Sequence, residues 1–410
     1  MNTIHLPNYP YCILPSEINS VTSMCDSDTL RAFLSPSLRS YLNACKQDIG
    51  SELSKWDIFK RYTNPYEYVH TLIPGSRNAV CRDHPISRAY FKLFEIIKDH
   101  KLLDYPATTP IKTFHLAEGP GGFVEATCEI RKALGDNPSD AFHGITLIDN
   151  TNDSIPGWNK IASFMQKNPQ VCIEKGITGT GDLLDAENLK YCFEKYGNNM
   201  EFITGDGGFD FSTDYNGQES QSLCLLIAQV AFGICLQKRG GSFVVKVFDM
   251  FTKLSLEILF LLNSLYKEVI VQKPLTSRFA NSERYIVCKD FQLSETQQYA
   301  YVFYSLLKNM GTSESTLPCP LVRFDMPRLF LDKVEEINST FGQQQIENIK
   351  STLSLIKNHD DEKLDTLKKN GVHRCVLYCQ KYGLNHGKQQ SQGNIFLSKF
   401  PSTIYDEQCT

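Results

Sequence analysis

The run FHLAEGPGGFVEA at 114–126 passes from an apolar, strand-like segment into a glycine-rich turn and then into a helix-like one. Glycines at the carboxyl end of a strand let the backbone approach a ligand closely, and the helix that follows presents N–H groups at its start. A nucleotide-like cofactor takes this position in an open α/β sheet. Within Glu118-Gly119-Pro120-Gly121-Gly122 the glycines are not spaced G-x-G-x-x-G. A dinucleotide is therefore disfavoured, and a mononucleoside cofactor such as S-adenosyl-L-methionine fits better. A glycine-rich turn with no ligand is the bland alternative.

Outward from this run, short apolar segments alternate with helix-length ones. IKTFHLA (111–117), GITLID (144–149), EFITGD (201–206), GSFVVKVF (241–248), EVIVQK (268–273) and RYIVCKDF (284–291) read as strands. Segments 84–100, 122–134, 182–196, 218–238 and 252–265 read as helices. This alternation predicts an α/β fold, a Rossmann-like, mostly parallel, doubly wound sheet with helices on both faces. The last two strands are joined too closely for a crossover helix, so they are expected to pair antiparallel. Residues 1–80 form a mixed N-terminal extension with helical promise at 37–46 and 51–61. Residues 81–291 form the α/β domain, 292–386 a helical C-terminal extension, and 387–410 a polar tail expected to be loosely ordered.

The chain has 410 residues with a hydrophobic fraction of 41% and a charged fraction of 21%, the composition of a globular protein with a sizeable core. No apolar run approaches the roughly 20 residues that span a bilayer, and the first residues lack the pattern of a secretory signal. No membrane partner is expected. The 14 cysteines lie mostly singly in apolar stretches, as reduced thiols do in a cytoplasmic setting, the nucleus being an alternative. A net charge of -4 disfavours bulk coating of nucleic acid but permits a local basic groove.

Three residues stand where chemistry is done in such sheets. Asp206, in ITGDGGFDF (203–211), ends a strand; an Asp capping the next turn is the alternative. Lys246 interrupts the apolar run GGSFVVKVFDM (240–250). A lysine there must reach water, pair with an acid, or do chemistry. Glu283 precedes the last strand and alone reads as a solvated charge. In HPISRAYFKLFEIIKDH (84–100), Ile86, Ala89, Tyr90, Leu93 and Ile97 form an apolar stripe, and Lys92, off that stripe, reads alone as a surface lysine.

Together these stretches resemble the FtsJ-like ribose 2′-O-methyltransferases, in particular the messenger-RNA cap enzymes, over about residues 85–291. That family carries a Lys–Asp–Lys–Glu tetrad in this order. SRAYFKLFE matches its first lysine at Lys92, GDGG its aspartate at Asp206, GGSFVVKVF its second lysine at Lys246, and SRFANSERYIVC its glutamate at Glu283. The resemblance implies S-adenosyl-L-methionine as cofactor, held by Glu118, Gly119, Pro120, Gly121, Gly122, Phe123 and Asp206. GTGDLLDAENL (179–189) looks like the family segment whose aspartate, here Asp182, contacts the adenine. Asp149 follows the second strand, where it could meet the ribose. RYTNPYEYVH (61–70) is similar to a segment upstream of the domain in cap-type members. The family more often has Asp at the position of His115 and a small residue at that of Glu118. The E-x-P-G-G-F run is similar to versions from large cytoplasmic DNA viruses, which would place the chain in host cytoplasm or virion.

The implied reaction is in-line attack of an RNA ribose 2′-oxygen on the cofactor's sulfonium methyl, with Lys246 as base and Lys92, Asp206 and Glu283 aligning it. Capped mRNA is the expected partner, possible assembly with other capping or transcription proteins aside. Arg82, Arg88, Arg278 and Arg284 are candidates for phosphate contact, with ordinary solvated charge as the alternative. Methylation of ribosomal or other RNA, or a non-catalytic RNA- or cofactor-binding subunit, stays open. A nicotinamide oxidoreductase fails on glycine spacing. His373, Cys375, Cys379 and His386 are conceivable zinc ligands, but their spacing fits no familiar site and the two cysteines also sit at core spacing on one helix face; no metal is expected.

Overall fold

A computed structural model describes residues 2–387 other than 10, 25–29, 136, 150–154, 156, 209–215, 312–315 and 319. The expected polar tail lies outside the described residues, apart from Gly387. The described elements in chain order begin with β1 (Thr3–His5), β2 (Thr22–Met24), α1 (Pro36–Gly50), α2 (Leu53–Thr63) and α3 (Ala89–His100). There follow β3 (Lys112–Leu116), α4 (Gly122–Leu134), β4 (Ala141–Ile145), α5 (Ala162–Lys167), β5 (Val171–Glu174), α6 (Ala186–Tyr196) and β6 (Met200–Gly205). Next come α7 (Gln218–Leu236), β7 (Gln237–Val247), α8 (Lys253–Leu265), β8 (Tyr266–Gln272) and β9 (Arg284–Phe291). The chain closes with α9 (Gln297–Met310), β10 (Thr316–Pro318), α10 (Arg328–Lys357) and α11 (Asp361–Tyr382).

The main sheet has the order β1-β8-β9-β7-β6-β3-β4-β5. Strands β5, β4, β3, β6 and β7 run parallel. β9 inserts antiparallel between β7 and β8, and β1 adds antiparallel to β8 at the edge. β3 therefore sits at the topological switch point, where connections leave in both directions and a crevice opens at the carboxyl ends.

Each face of the sheet carries a core. Phe243, Val245, Val247, Ile286 and Cys288 pack with α6, α7, α8 and α9 on one side. Val244, Tyr285 and Val287 pack with α3 and α4 on the other. α7 is the one described helix long and apolar enough to cross a membrane by length and composition, and 83% of its apolar window is buried in this core.

The C-terminal extension embraces the domain. Phe330, Val334, Ile337 and Phe341 of α10 join the first core, and its later residues Ile346, Ile349 and Leu353 pack with Trp56 and Phe59 of α2. At 1.5 Å per residue, the 30 residues of α10 span about 45 Å. α11 then returns to the opposite face, where Cys375, Tyr378, Cys379 and Tyr382 pack among α3 residues.

Several boundaries differ from expectation. The second strand ends at Ile145, so Asp149 lies in the loop beyond it. The helix expected from 182 begins at Ala186, where Asp185 caps it by accepting the Glu187 N–H at 2.9 Å. β1, β5 and α5 lacked a legible signal because they hold few residues each.

Candidate active site

Strand alternation puts Lys246 on the same face as Val244, the face covered by α3, while Val245 and Val247 face the other core. Its Nζ donates to the Asp206 backbone oxygen at 2.7 Å and lies 3.1 Å from Asp206 Oδ1. The lysine in the apolar run thus has an acid partner. Asp206 follows the end of β6, anchored by its N–H to Leu116 O at 3.2 Å. The glycines after it leave room: a Cβ on Gly208 would stand 3.0 Å from Lys246 Nζ, and one on Gly207 2.7 Å from Gln229.

Lys92 and Glu283 form a second pair, Nζ to Oε2 at 2.7 Å, with both side chains less than a tenth exposed. Lys92 is thus buried, not a surface lysine. Tyr378 of α11 donates to Phe91 O at 3.2 Å and packs α11 against α3. Burial pulls the Lys92 amine below its ordinary pKa, against the opposing carboxylates of Glu283 and Asp206. Burial also pushes the Glu283 carboxyl up, but the Lys92 and Lys246 charges and the Lys92 and Ser277 hydrogen bonds outweigh it and hold the group well below the usual range. Ser277 Oγ donates to Glu283 Oε1 at 2.8 Å. The structure therefore assembles all four tetrad candidates as two ion pairs whose charges act on one another.

Tyr285 is a member that sequence reasoning missed. It lies directly across from Lys246 in the β7–β9 register and donates its hydroxyl to Asp206 Oδ1 at 2.9 Å. Burial, and then the Asp206 charge, push the phenol well above its ordinary pKa, so it stays a donor. The signal was one step of alternation: Arg284 and Tyr285 must point to opposite faces.

That step also removes Arg284 from the RNA candidates. It is 1% exposed, bonds Asn338 Oδ1 at 3.2 Å and stacks over Phe341 behind the sheet. Arg278 is committed too, forking onto Glu67 at 2.7 and 3.0 Å. This ties the 61–70 segment to the loop carrying Glu283. Arg82 and Arg88 are exposed.

At the switch point, Glu118 is 3% exposed and its Oε1 accepts the N–H groups of Phe123 at 2.5 Å and Val124 at 3.2 Å. Glu118 thereby caps α4 itself, using N–H groups that a ligand was expected to find free. Burial, and then the Asp206 charge, push its carboxyl well above the usual range. A Cβ on Gly119 would stand 2.6 Å from Gly157 O, and Gly121, at φ +117, occupies backbone space suited to glycine. Pro120 lies between these two, and Gly122 starts α4 with Ser87 Oγ 2.2 Å from where its Cβ would be. The loops after β4 and β5 are stitched together. Ile148 N donates to Thr180 O at 2.7 Å, and a Cβ on Gly181 would meet Thr146 O at 2.0 Å. Asp149 and Asp182 lie on these joined loops, and Asp182 Oδ1 accepts the Leu184 N–H at 2.9 Å.

Residues 118–123, 146–149 and 176–182 with Asp206 thus gather at the carboxyl ends of β3, β4, β5 and β6, beside the two ion pairs. Glycine at 119 and 181 lets these loops pack directly on one another, since the space a Cβ would fill there is held by Gly157 O and Thr146 O. His115, where the family more often has Asp, is fully buried between Thr113 Oγ1 (2.9 Å) and Thr204 Oγ1 (2.8 Å). Burial pulls it to about 3, so it is a neutral sheet-interior residue. Of the conceivable zinc ligands, Cys375 and Cys379 face the core while His373 faces solvent on the same helix; Cys375 Sγ lies 3.7 Å from Pro65 O.

The family model described as FtsJ-like methyltransferase matches residues 85–291. Curated relatives are similar over more of the chain. A Danio rerio protein named cap-specific mRNA (nucleoside-2′-O-)-methyltransferase 2 is 27% identical over 86% of this chain and 48% of its own length. A Trypanosoma brucei brucei protein named cap-specific mRNA (nucleoside-2′-O-)-methyltransferase 1 is 30% identical over 66% of this chain and 73% of its own. The chain spans about half the length of the Danio rerio relative.

Proposed function

The chain belongs to the FtsJ-like methyltransferase family, and on that premise we propose that it transfers a methyl group from S-adenosyl-L-methionine to a ribose 2′-oxygen of capped mRNA, at the first transcribed nucleotides. The observation that carries the reading is the pair of lysine–carboxylate contacts beside the glycine-rich turn that follows β3. The names of the relatives support the capped substrate.

Residues 118–123, Asp149, Asp182 and Asp206 would hold the cofactor, which when bound supplies an electrophilic methyl on a sulfonium sulfur. A ribose hydroxyl is a weak nucleophile, so the protein must orient it and take its proton. Lys246, with its side chain 11% exposed against 7% for Lys92, is the amine more open to a substrate oxygen. Asp206 fixes that amine through two oxygens, and Tyr285 fixes Asp206. Lys92 places a second cation near by, and Glu283 stops it from drifting. Alignment of this kind contributes up to about 7–11 kcal/mol, and proton transfer about 10²–10⁴-fold.

The free thiols among the described cysteines support a cytoplasmic setting. The E-x-P-G-G-F loop supports likeness to enzymes of large cytoplasmic DNA viruses, and assembly with other capping or transcription proteins belongs to the same reading. The test is methyl transfer to capped, uncapped and ribosomal RNA, with the modified ribose mapped, beside a thermal shift with S-adenosylhomocysteine. Transfer only to ribosomal RNA would replace the substrate. Cofactor binding without transfer to any of them would make the chain a non-catalytic subunit.

A further inference from the structure

Lys273 follows β8 and is 1% exposed, yet among the described residues it forms no ion pair within salt-bridge distance. Its three donors meet three oxygens of one short loop: Asn281 O at 2.7 Å, Asn281 Oδ1 at 3.0 Å and Glu283 O at 2.9 Å. A buried ammonium satisfied by neutral oxygens alone is costly. Burial draws its pKa down to about 7, although Glu283 raises it. The same loop carries Ser277, which donates to the Glu283 carboxylate, and Arg278, which reaches Glu67. Lys273 N also donates to Asn2 O at 2.9 Å, so the base of the loop is fixed to the edge of the sheet.

We propose that Lys273 is a positioning residue that closes the 274–283 loop and so holds Glu283, and through it Lys92, in the geometry that methyl transfer needs. The inference rests on the methyltransferase reading given above. Three donors at one point suit three converging acceptors, whereas a planar guanidinium cannot match a compact tripod. Held by its own backbone oxygen, Glu283 presents its carboxylate to Lys92 without searching other conformations. Displacement of a catalytic group by about 1 Å can cost about 10²-fold in rate.

The test is a double-mutant cycle on the full chain. Lys273→Met should lower kcat about 10–100-fold with the KM for S-adenosylmethionine nearly unchanged. In a Glu283→Gln background the same substitution should change kcat less than about 2-fold, because the residue it acts through is already lost. Asn281→Ala, which removes one acceptor and is the gentler change, should lower kcat about 3–10-fold and follow the same pattern. Equal fold-losses in both backgrounds would overturn the proposal, since a general structural role is additive. Hydrogen exchange provides a readout independent of turnover: amides of 274–283 should exchange faster in Lys273→Met, and unchanged exchange there would also overturn it. If the wild-type chain transfers no methyl group, the methyltransferase reading fails, and the exchange measurement alone decides whether Lys273 closes the loop.

Discussion

Replacing Glu283 by leucine strands the Lys92 ammonium in the core. The two side chains are 7% and 9% exposed and meet at 2.7 Å, so neither charge has water to fall back on. Removing one partner of such a pair costs about 3–5 kcal/mol, whereas replacing both with apolar groups of similar volume is often neutral or better. Glu283→Leu should therefore lower the denaturation midpoint by the equivalent of about 3–5 kcal/mol at an unchanged slope. Lys92→Met together with Glu283→Leu should return to within about 1 kcal/mol of wild type. Both proteins should be inactive, because the double variant restores packing and not alignment. pH supplies a second reading. The folded Glu283 carboxyl titrates below its unfolded value, so its contribution is complete above about pH 4.3 and disappears as pH falls; Glu283→Leu should lose that acid limb. The folded Lys92 amine titrates below its unfolded value near 10.4, so stability should rise with pH on approaching that value, and Lys92→Met should remove the rise. Guanidinium denaturation across pH, with methyl transfer measured on the same preparations, reads all of this. A loss below about 1 kcal/mol for Glu283→Leu would refute the buried pair, because that is what a solvent-screened surface contact yields.

Four further outcomes are expected. Lys246→Ala should abolish methyl transfer while calorimetric binding of S-adenosylmethionine stays within a few-fold; wild-type turnover would remove Lys246 from the mechanism. Tyr285→Phe deletes one hydrogen bond to a charged group, worth about 1.5–3 kcal/mol, and should cut kcat by about 10–100-fold with little change in KM. Arg278→Gln should leave RNA affinity nearly unchanged but lower stability near neutral pH and flatten its fall on acidification. Burial pushes the Glu67 carboxyl up, yet the Arg278 hydrogen bonds and charge bring it down to about 2, which is of order 3 kcal/mol at 1.36 kcal/mol per pH unit. That stability is present above about pH 4.5 and lost towards pH 2, so a gap between wild type and variant that does not narrow over this range would count against the assignment. Gly119→Val should weaken cofactor binding and also lower the melting temperature, because a Cβ there would stand 2.6 Å from Gly157 O and force the two loops apart; equilibrium dialysis and circular dichroism read the two effects.

The sequence by itself determined the features that rest on local patterning. The glycine turn after β3, the continuous apolar run around Lys246 and the short β8–β9 connection each follow from residue patterns within a short stretch of chain. They fix the sheet class and place Asp206 and Lys246 at strand ends. The family resemblance added the order of the tetrad, which single residues could not supply. Tertiary structure alone decided burial and pairing. Lys92 looked exposed because it lies off the apolar stripe of its own helix, and distant parts of the chain enclose it: Glu283 pairs with it, and α11 packs on α3. Arg278 and Arg284 looked like phosphate ligands until Glu67, Asn338 and Phe341, all distant in sequence, took them up. Glu118 looked like a ligand contact and is also the cap of its own helix. A charge is settled by whatever lies within a few ångströms of it, and in a sheet crossed by long connections those neighbours are set by packing, not by proximity along the chain.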